Sequence, residues 1–189
     1  MIETKGKLFV ISGSSGVGKG TLLKVLFEKH SDLKLSISAT TRKPRPNEID
    51  GINYFFTTKE DFKKAIENNE FLEWAEFNNN FYGTKRAWVE KTLNKGENLI
   101  LEIETKGALQ IKTQKPEAVL IFIMPPSLEE LEQRLRGRNT EDEITIQNRL
   151  HEAYREIECS KEYDYKIVND NLEKAVNELE KVIYNEIQK

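Results

Sequence analysis

Cysteine and histidine are nearly absent from this chain. Cys159 stands alone, so neither an internal disulfide nor a cysteine-built zinc cluster can form, and a reducing cytoplasm is the expected compartment. His30 and His151 are too few for a histidine metal centre. Long apolar runs are missing too. The opening MIETKGKLFVIS carries an apolar run too short for a signal-peptide core, and no later run approaches the ~18 residues of a membrane span. Charge of one sign is also lacking: 29 basic and 32 acidic residues leave a net charge of -3, which argues against a general nucleic-acid or membrane-surface binder. Any phosphate binding must therefore be local. Arginine is scarce, with 8 against 21 lysines, and six of the eight fall in two segments: Arg42 and Arg45, then Arg134, Arg136, Arg138 and Arg149.

What is present has a clear order. The 189 residues suit one compact domain with small insertions. Short apolar, β-branched runs alternate with stretches of helical period, the pattern of a parallel sheet covered by helices. Five core strands are expected at Leu8–Ser12, Leu35–Ser38, Asn98–Ile103, Ala118–Met124 and Tyr165–Val168, several of them apolar throughout, as burial on both faces requires. A helix is expected behind Ser127, where Glu130 completes a capping box, and a final amphipathic helix from Leu172 to Ile187 behind Asp170 and Glu173. The alternation breaks between residues 38 and 96, where a Pro-containing loop, short strands and a helix from Lys59 indicate an inserted α+β subdomain. The polar stretch GRNTEDEIT from Gly137 reads as part of a mobile lid. The expected division is a core of 1–37, 97–136 and 158–189, a subdomain of 38–96 and a lid of 137–157.

Gly13-Ser14-Ser15-Gly16-Val17-Gly18-Lys19-Gly20-Thr21 follows a strand and opens a helix, the context that a phosphate-binding P-loop requires. Its glycines let successive backbone N–H groups converge on an anion, the helix N-terminus adds a positive end, and Lys19 brings a charge to the β and γ phosphates. The hydroxyl usual directly after the lysine is replaced by Gly20. The ligand role toward Mg²⁺ then passes to Thr21 or to water.

The run Thr40-Thr41-Arg42-Lys43-Pro44-Arg45-Pro46-Asn47-Glu48-Ile49-Asp50-Gly51-Ile52-Asn53-Tyr54-Phe55-Phe56 resembles the GMP-binding signature of the guanylate kinase family. Glu70-Phe71-Leu72-Glu73-Trp74, Phe81-Tyr82-Gly83-Thr84 and Leu101-Glu102-Ile103-Glu104 follow in that family's order, so the resemblance spans essentially the whole chain. It implies a P-loop NTPase fold with a five-stranded parallel core, and ATP-dependent phosphorylation of GMP, and of dGMP, with Mg²⁺. The partners are then small nucleotides rather than nucleic acid or membrane, with the chain a monomer or a homodimer.

The residue chemistry agrees. Arg42 and Arg45 offer planar forks to a phosphate, and Tyr54 and Tyr82 offer phenol donors to its remaining oxygens. One carboxylate can accept from guanine N1–H and N2–H₂ together, a role that similarity assigns to Glu73, with Ser38 and Thr84 on the remaining base edge. The resemblance gives Lys19, Arg134, Arg138 and Arg149 the triphosphate and the migrating phosphoryl. It places Asn169 near adenine, Glu102 at metal-bound water and Glu104 on the guanine side. The last two are aspartates in some members, and each could equally cap the following helix. A non-catalytic binding module of the same fold is the rival reading. Such modules typically lose P-loop or lid charges, and Lys19, Arg134, Arg138 and Arg149 are all retained.

Overall fold

The computed structural model describes residues 5–137 and 142–189. Its centre is β1 (Leu8–Gly13), buried at every position. Phe9 and Ile11 face one hydrophobic cluster and Leu8 and Val10 the other, which is why the strand is apolar without alternation. Parallel strands flank it: β2 (Leu33–Leu35), β7 (Asn98–Glu102), β8 (Val119–Met124) and β9 (Tyr165–Val168), in the order β2-β7-β1-β8-β9. On one face α1 (Lys19–Lys29) and α7 (Leu172–Ile187) contribute Leu22, Leu26, Val176 and Leu179. On the other, α3 (Arg86–Asn94) and α4 (Thr105–Gln114) contribute Val89, Leu93, Ala108 and Ile111.

A second sheet is built from β3 (Ala39–Thr40), β4 (Phe55–Phe56), β5 (Phe71–Phe77) and β6 (Asn80–Lys85), in the order β4-β3-β6-β5. It is roofed by α2 (Lys59–Glu67). Phe62 of α2 stacks on Phe71 and Phe81, with ring centroids 4.3 and 5.5 Å apart, and gives this sheet its own small core. Beyond β8 lie α5 (Leu128–Arg136) and α6 (Glu143–Cys159), joined through Leu131, Leu135, Ile146, Leu150 and Ala153. The exposed Arg136 of α5 donates to Glu143 of α6 and holds its carboxyl down at about 2.

The sequence expectations need two local corrections. The second strand ends at Leu35 rather than starting there. Ser36 still donates to Ile100 (2.8 Å), but the chain then turns out of the core sheet, and Ser38 lies in the connection to β3. The cap of α7 is Asn171, whose side chain accepts from the Lys174 N–H (3.1 Å), one residue beyond the expected Asp170. Ser127 caps α5 as expected, accepting from the Glu130 N–H. Arg138 lies outside the described residues. Among those described, no helix is long and apolar enough to cross a membrane.

The aromatic stack dominates the small sheet, so Phe62→Ala should cost about 3–5 kcal/mol in urea unfolding, a loss far above that of an exposed α2 substitution such as Lys63→Ala.

Candidate functional site

The phosphate loop sits at the carboxyl end of the central strand, where a parallel sheet opens its crevice. Gly16 and Gly18 take left-handed conformations (φ 87° and 92°), and Gly18 is the residue that leads into α1. There is little room for side chains here. A Cβ on Gly18 would lie 2.8 Å from the Asn169 carboxamide nitrogen, and one on Gly16 2.8 Å from Leu135. Asn169, just beyond β9, is buried and donates through Nδ2 to the Val17 carbonyl (2.8 Å), while its own N–H donates to Met124 (2.8 Å). Arg134 donates to the Asn169 carbonyl (3.1 Å) and to Glu130 (3.2 Å). Both residues therefore brace the loop from behind. The loop lines a cleft of about 370 Å³ containing Ser14, Ser15, Lys19, Gly20, Thr21, Glu102, Glu104 and Glu156. The Ser14 hydroxyl is buried in it with no partner among the described residues.

A second cleft, of about 320 Å³, is lined by Ser38, Tyr54, Glu73, Ala75, Tyr82, Gly83 and Gly107, and again by Glu102 and Glu104. The two expected sites thus meet over the same pair of glutamates, at and just beyond the end of β7. Glu104 occupies the position before α4, but its side chain makes no capping bond, so that alternative finds no support in the geometry.

Glu73 is the unusual group in this second cleft. It is a carboxylate only 5% exposed. Burial pushes its pKa up, and a 2.6 Å hydrogen bond donated by the Thr84 hydroxyl offsets part of the shift. Thr84 is itself buried and backs the carboxylate. The β5–β6 register shifts by one residue between Phe71 and Glu73, and Phe71, Leu72 and Glu73 are buried in succession there.

Arg42 lies at the rim, 5.2 Å over the Tyr54 ring, with both terminal nitrogens on Glu48 (2.8 and 3.0 Å). The same carboxylate accepts from the Arg45 backbone N–H (2.7 Å), and Arg42 holds its pKa below the usual carboxylate range. Glu48 thereby fixes the direction of the guanidinium fork. Arg149 is half-buried on α6, and Arg42, Arg45, Arg134 and Arg149 line neither cleft.

Sequence reasoning assigned no role to Glu48 or to Glu156. The six-residue separation from Arg42 was a usable signal for Glu48. Nothing local points to Glu156, which reaches the Ser15 N–H (3.4 Å) from 141 positions away and whose pKa burial raises.

Two clefts that share Glu102 and Glu104, one floored by a phosphate loop, are the arrangement that a nucleoside monophosphate kinase needs to bring donor and acceptor together. Comparisons narrow the class. The family model described as guanylate kinase matches residues 5–186. The guanylate kinase of Oceanobacillus iheyensis is 51% identical over 98% of this chain and 90% of its own length. That of Clostridioides difficile is 51% identical over 100% of this chain and 92% of its own length. The crystal structure of the guanylate kinase from Anaplasma phagocytophilum superposes with a TM-score of 0.77 at 33% identity, covering 100% of this chain and 90% of that one. The chain belongs to the guanylate kinase family.

Because Asn169 ties the loop to the core, Asn169→Ala should strip the Val17 carbonyl of its 2.8 Å donor and leave it only the long 3.5 Å contact from Arg134. The expected result is a KM for ATP raised about 10-fold with the KM for GMP little changed, measured in steady-state kinetics. Burial disfavours the charged form of Glu73, so Glu73→Gln should raise the melting temperature at pH 7 while impairing activity. The raised pKa sets the sign: the wild-type penalty is absent below the unfolded carboxyl value and grows as pH rises through the folded one, so the difference in melting temperature should shrink on acidification.

Proposed function

We propose that this chain transfers the γ-phosphoryl of ATP to GMP, and to dGMP, with the triphosphate on the loop from Gly13 to Thr21 and the guanine against Glu73. The observation that carries this reading is the buried, hydrogen-bonded Glu73 carboxylate facing a cleft that shares Glu102 and Glu104 with the phosphate loop. Guanine presents N1–H and N2–H₂ as adjacent donors to such a carboxylate. Adenine presents none there and leaves it buried and unpaired.

The residues then divide the work. The loop amides, the unpartnered Ser14 hydroxyl and Lys19 hold the triphosphate. The acceptor phosphate exchanges with Glu48 on the Arg42 fork, joined by Arg45, Tyr54 and Tyr82; Ser38 and Glu104 flank the base. No general base is needed, since a phosphomonoester with a second pKa of about 6 is already a nucleophilic dianion near neutral pH. Lys19 and the arginines at 134, 138 and 149 offset charge on the equatorial oxygens once residues 137–157 close as a lid over the core, with residues 38–96 as the acceptor-binding subdomain. Arg134 would have to leave its brace on Asn169 to do so.

The donor set also fits Mg²⁺. Thr21, Glu102 and Glu104 bring oxygen ligands to the phosphate cleft, and among the described residues no group of three or more His, Cys, Asp or Glu forms a metal cage. That is the pattern of an ion carried largely by substrate phosphates. Thr21 and Glu102 would hold it, directly or through water, and its charge would offset that of the transferring phosphate.

A coupled ADP-release assay with Mg-ATP and a panel of GMP, dGMP, AMP, UMP and CMP tests the reading. Turnover with guanine acceptors should exceed that with AMP by about 10⁴-fold in kcat/KM. A preference for AMP or UMP would remove Glu73 from the base site, and folded protein with no turnover would favour a binding module.

A further inference from the structure

Glu73 sits on β5, an edge strand of the small sheet, yet much of what holds its backbone and limits its carboxylate comes from α4 of the core. Three residues of α4 at spacings of three and four, hence on one helix face, meet β5 in succession. Gln114 donates through Nε2 to the carbonyl of Leu72 (2.7 Å), the residue left without a partner in the β5–β6 register. Gln110 accepts from the Trp74 N–H (3.2 Å) and donates back to the Trp74 carbonyl (3.1 Å), a two-way amide pair on the open edge of the strand. The residue between these anchors is Glu73. Gly107 faces its carboxylate so closely that a Cβ there would lie 2.7 Å from Oε2 and 3.3 Å from Cδ.

That approach has two physical consequences. A carboxylate pinned at Oε1 by Thr84 cannot swing away from residue 107 without losing its 2.6 Å hydrogen bond or turning out of the cleft. Gly107 also lies in the first turn of a ten-residue helix, so Oε2 rests near the positive end of α4. The missing side chain therefore sets which rotamer the acid adopts, and the two glutamines set the height and tilt of the strand that carries it. Gln110 is the more informative of the pair, because it touches only the Trp74 backbone among the hydrogen bonds it makes here and can lose them without opening the core.

We propose that Gly107, Gln110 and Gln114 are positioning residues for base selection: α4 aims the Glu73 carboxylate at the guanine edge, with Gly107 setting its depth and the two glutamines fixing the bulge that presents it. This rests on Glu73 being the guanine acceptor. It adds that selectivity is set jointly by the small sheet and the core, so a substitution at Gln110, which does not line the cleft, should narrow the preference for GMP over AMP.

The test is a kinetic comparison of wild type with Glu73→Gln, Gly107→Ala, Gln110→Met, Glu73→Asp and the double variant Gly107→Ala/Glu73→Asp, each assayed for GMP, AMP and ATP and each unfolded in urea. Gly107→Ala and Gln110→Met should each raise the KM for GMP about 10-fold and narrow the GMP-to-AMP ratio, with the KM for ATP unchanged, as expected of a misplaced group. In Glu73→Asp the shorter side chain retreats from an alanine Cβ. The double variant should therefore bind GMP better than the sum of its single effects allows, a coupling that general loosening of the fold would not produce. If Gly107→Ala fails to fold, Gln110→Met carries the test alone. Unchanged GMP kinetics and selectivity in the folded Gly107 and Gln110 variants, alongside a large loss in Glu73→Gln, would overturn this inference and leave the Glu73 reading intact. Unchanged GMP turnover in Glu73→Gln would overturn both.

Discussion

A carboxylate taken out of water is the constraint around which the acceptor half of this molecule is arranged. Solvation lost by Glu73 is returned in part by one hydroxyl, Thr84, and among the described residues no cation is bonded to it. A lysine or arginine beside it would hold the acid more comfortably, but would also occupy the oxygens that a guanine must reach. The protein instead fixes the acid by shape and backbone: the register of β5 shifts beside it, Gly107 gives it room, and the side chain is almost wholly buried. Such a group is poorly satisfied without a partner that has two adjacent donors. In the proposed reading that cost in stability is the source of discrimination between bases.

The phosphate-facing groups follow the opposite rule. Arg42 is already held by Glu48, and the Ser15 N–H by Glu156, so in the proposed reading each holds an internal carboxylate where a substrate oxygen would sit. A planar fork gripping a carboxylate bidentately is in the geometry that it needs for a phosphate. Exchanging one anion for another then costs little reorganisation, because the donors are oriented beforehand and each carboxylate returns to water. Pre-orientation of this kind matters most for phosphoryl transfer, where charge placement rather than proton movement lowers the barrier.

Much of this was legible in the sequence because the informative features are local. The P-loop, the continuous apolar strands and the Ser127 cap are each set within a few residues, and the structure places them within one or two positions of expectation. The departures occur where tertiary contact decides. Leu35 ends its strand because the chain leaves for a second sheet, and Asn171 rather than Asp170 caps α7 although both are competent residues at neighbouring positions. The resemblance places Asn169 near the adenine, and its carboxamide also engages the loop backbone, a bond between residues 152 positions apart that no spacing rule reveals. Gly107, Gln110 and Gln114 carry the helical spacing of an ordinary α4 face, and only the register of β5 gives it meaning.

The placement of Glu102 and Glu104 unites these threads. They lie at and just past the end of β7, next to the central strand that ends in the phosphate loop, and a hydrogen bond from the Ser12 hydroxyl to the Ile103 carbonyl (2.8 Å) ties the two strand ends together. The residue following Glu104 begins α4, the helix that reaches β5. A single stretch of chain, from Glu102 to Gln114, therefore borders the phosphate cleft at its start and braces the base-reading strand at its end. Movement of the small sheet against the core would strain that stretch. Its buried members Thr105, Gly107, Ala108 and Ile111 resist such movement by close packing, so the floor common to both nucleotides is the stiff part of the site, and any closure has to come from the elements above it.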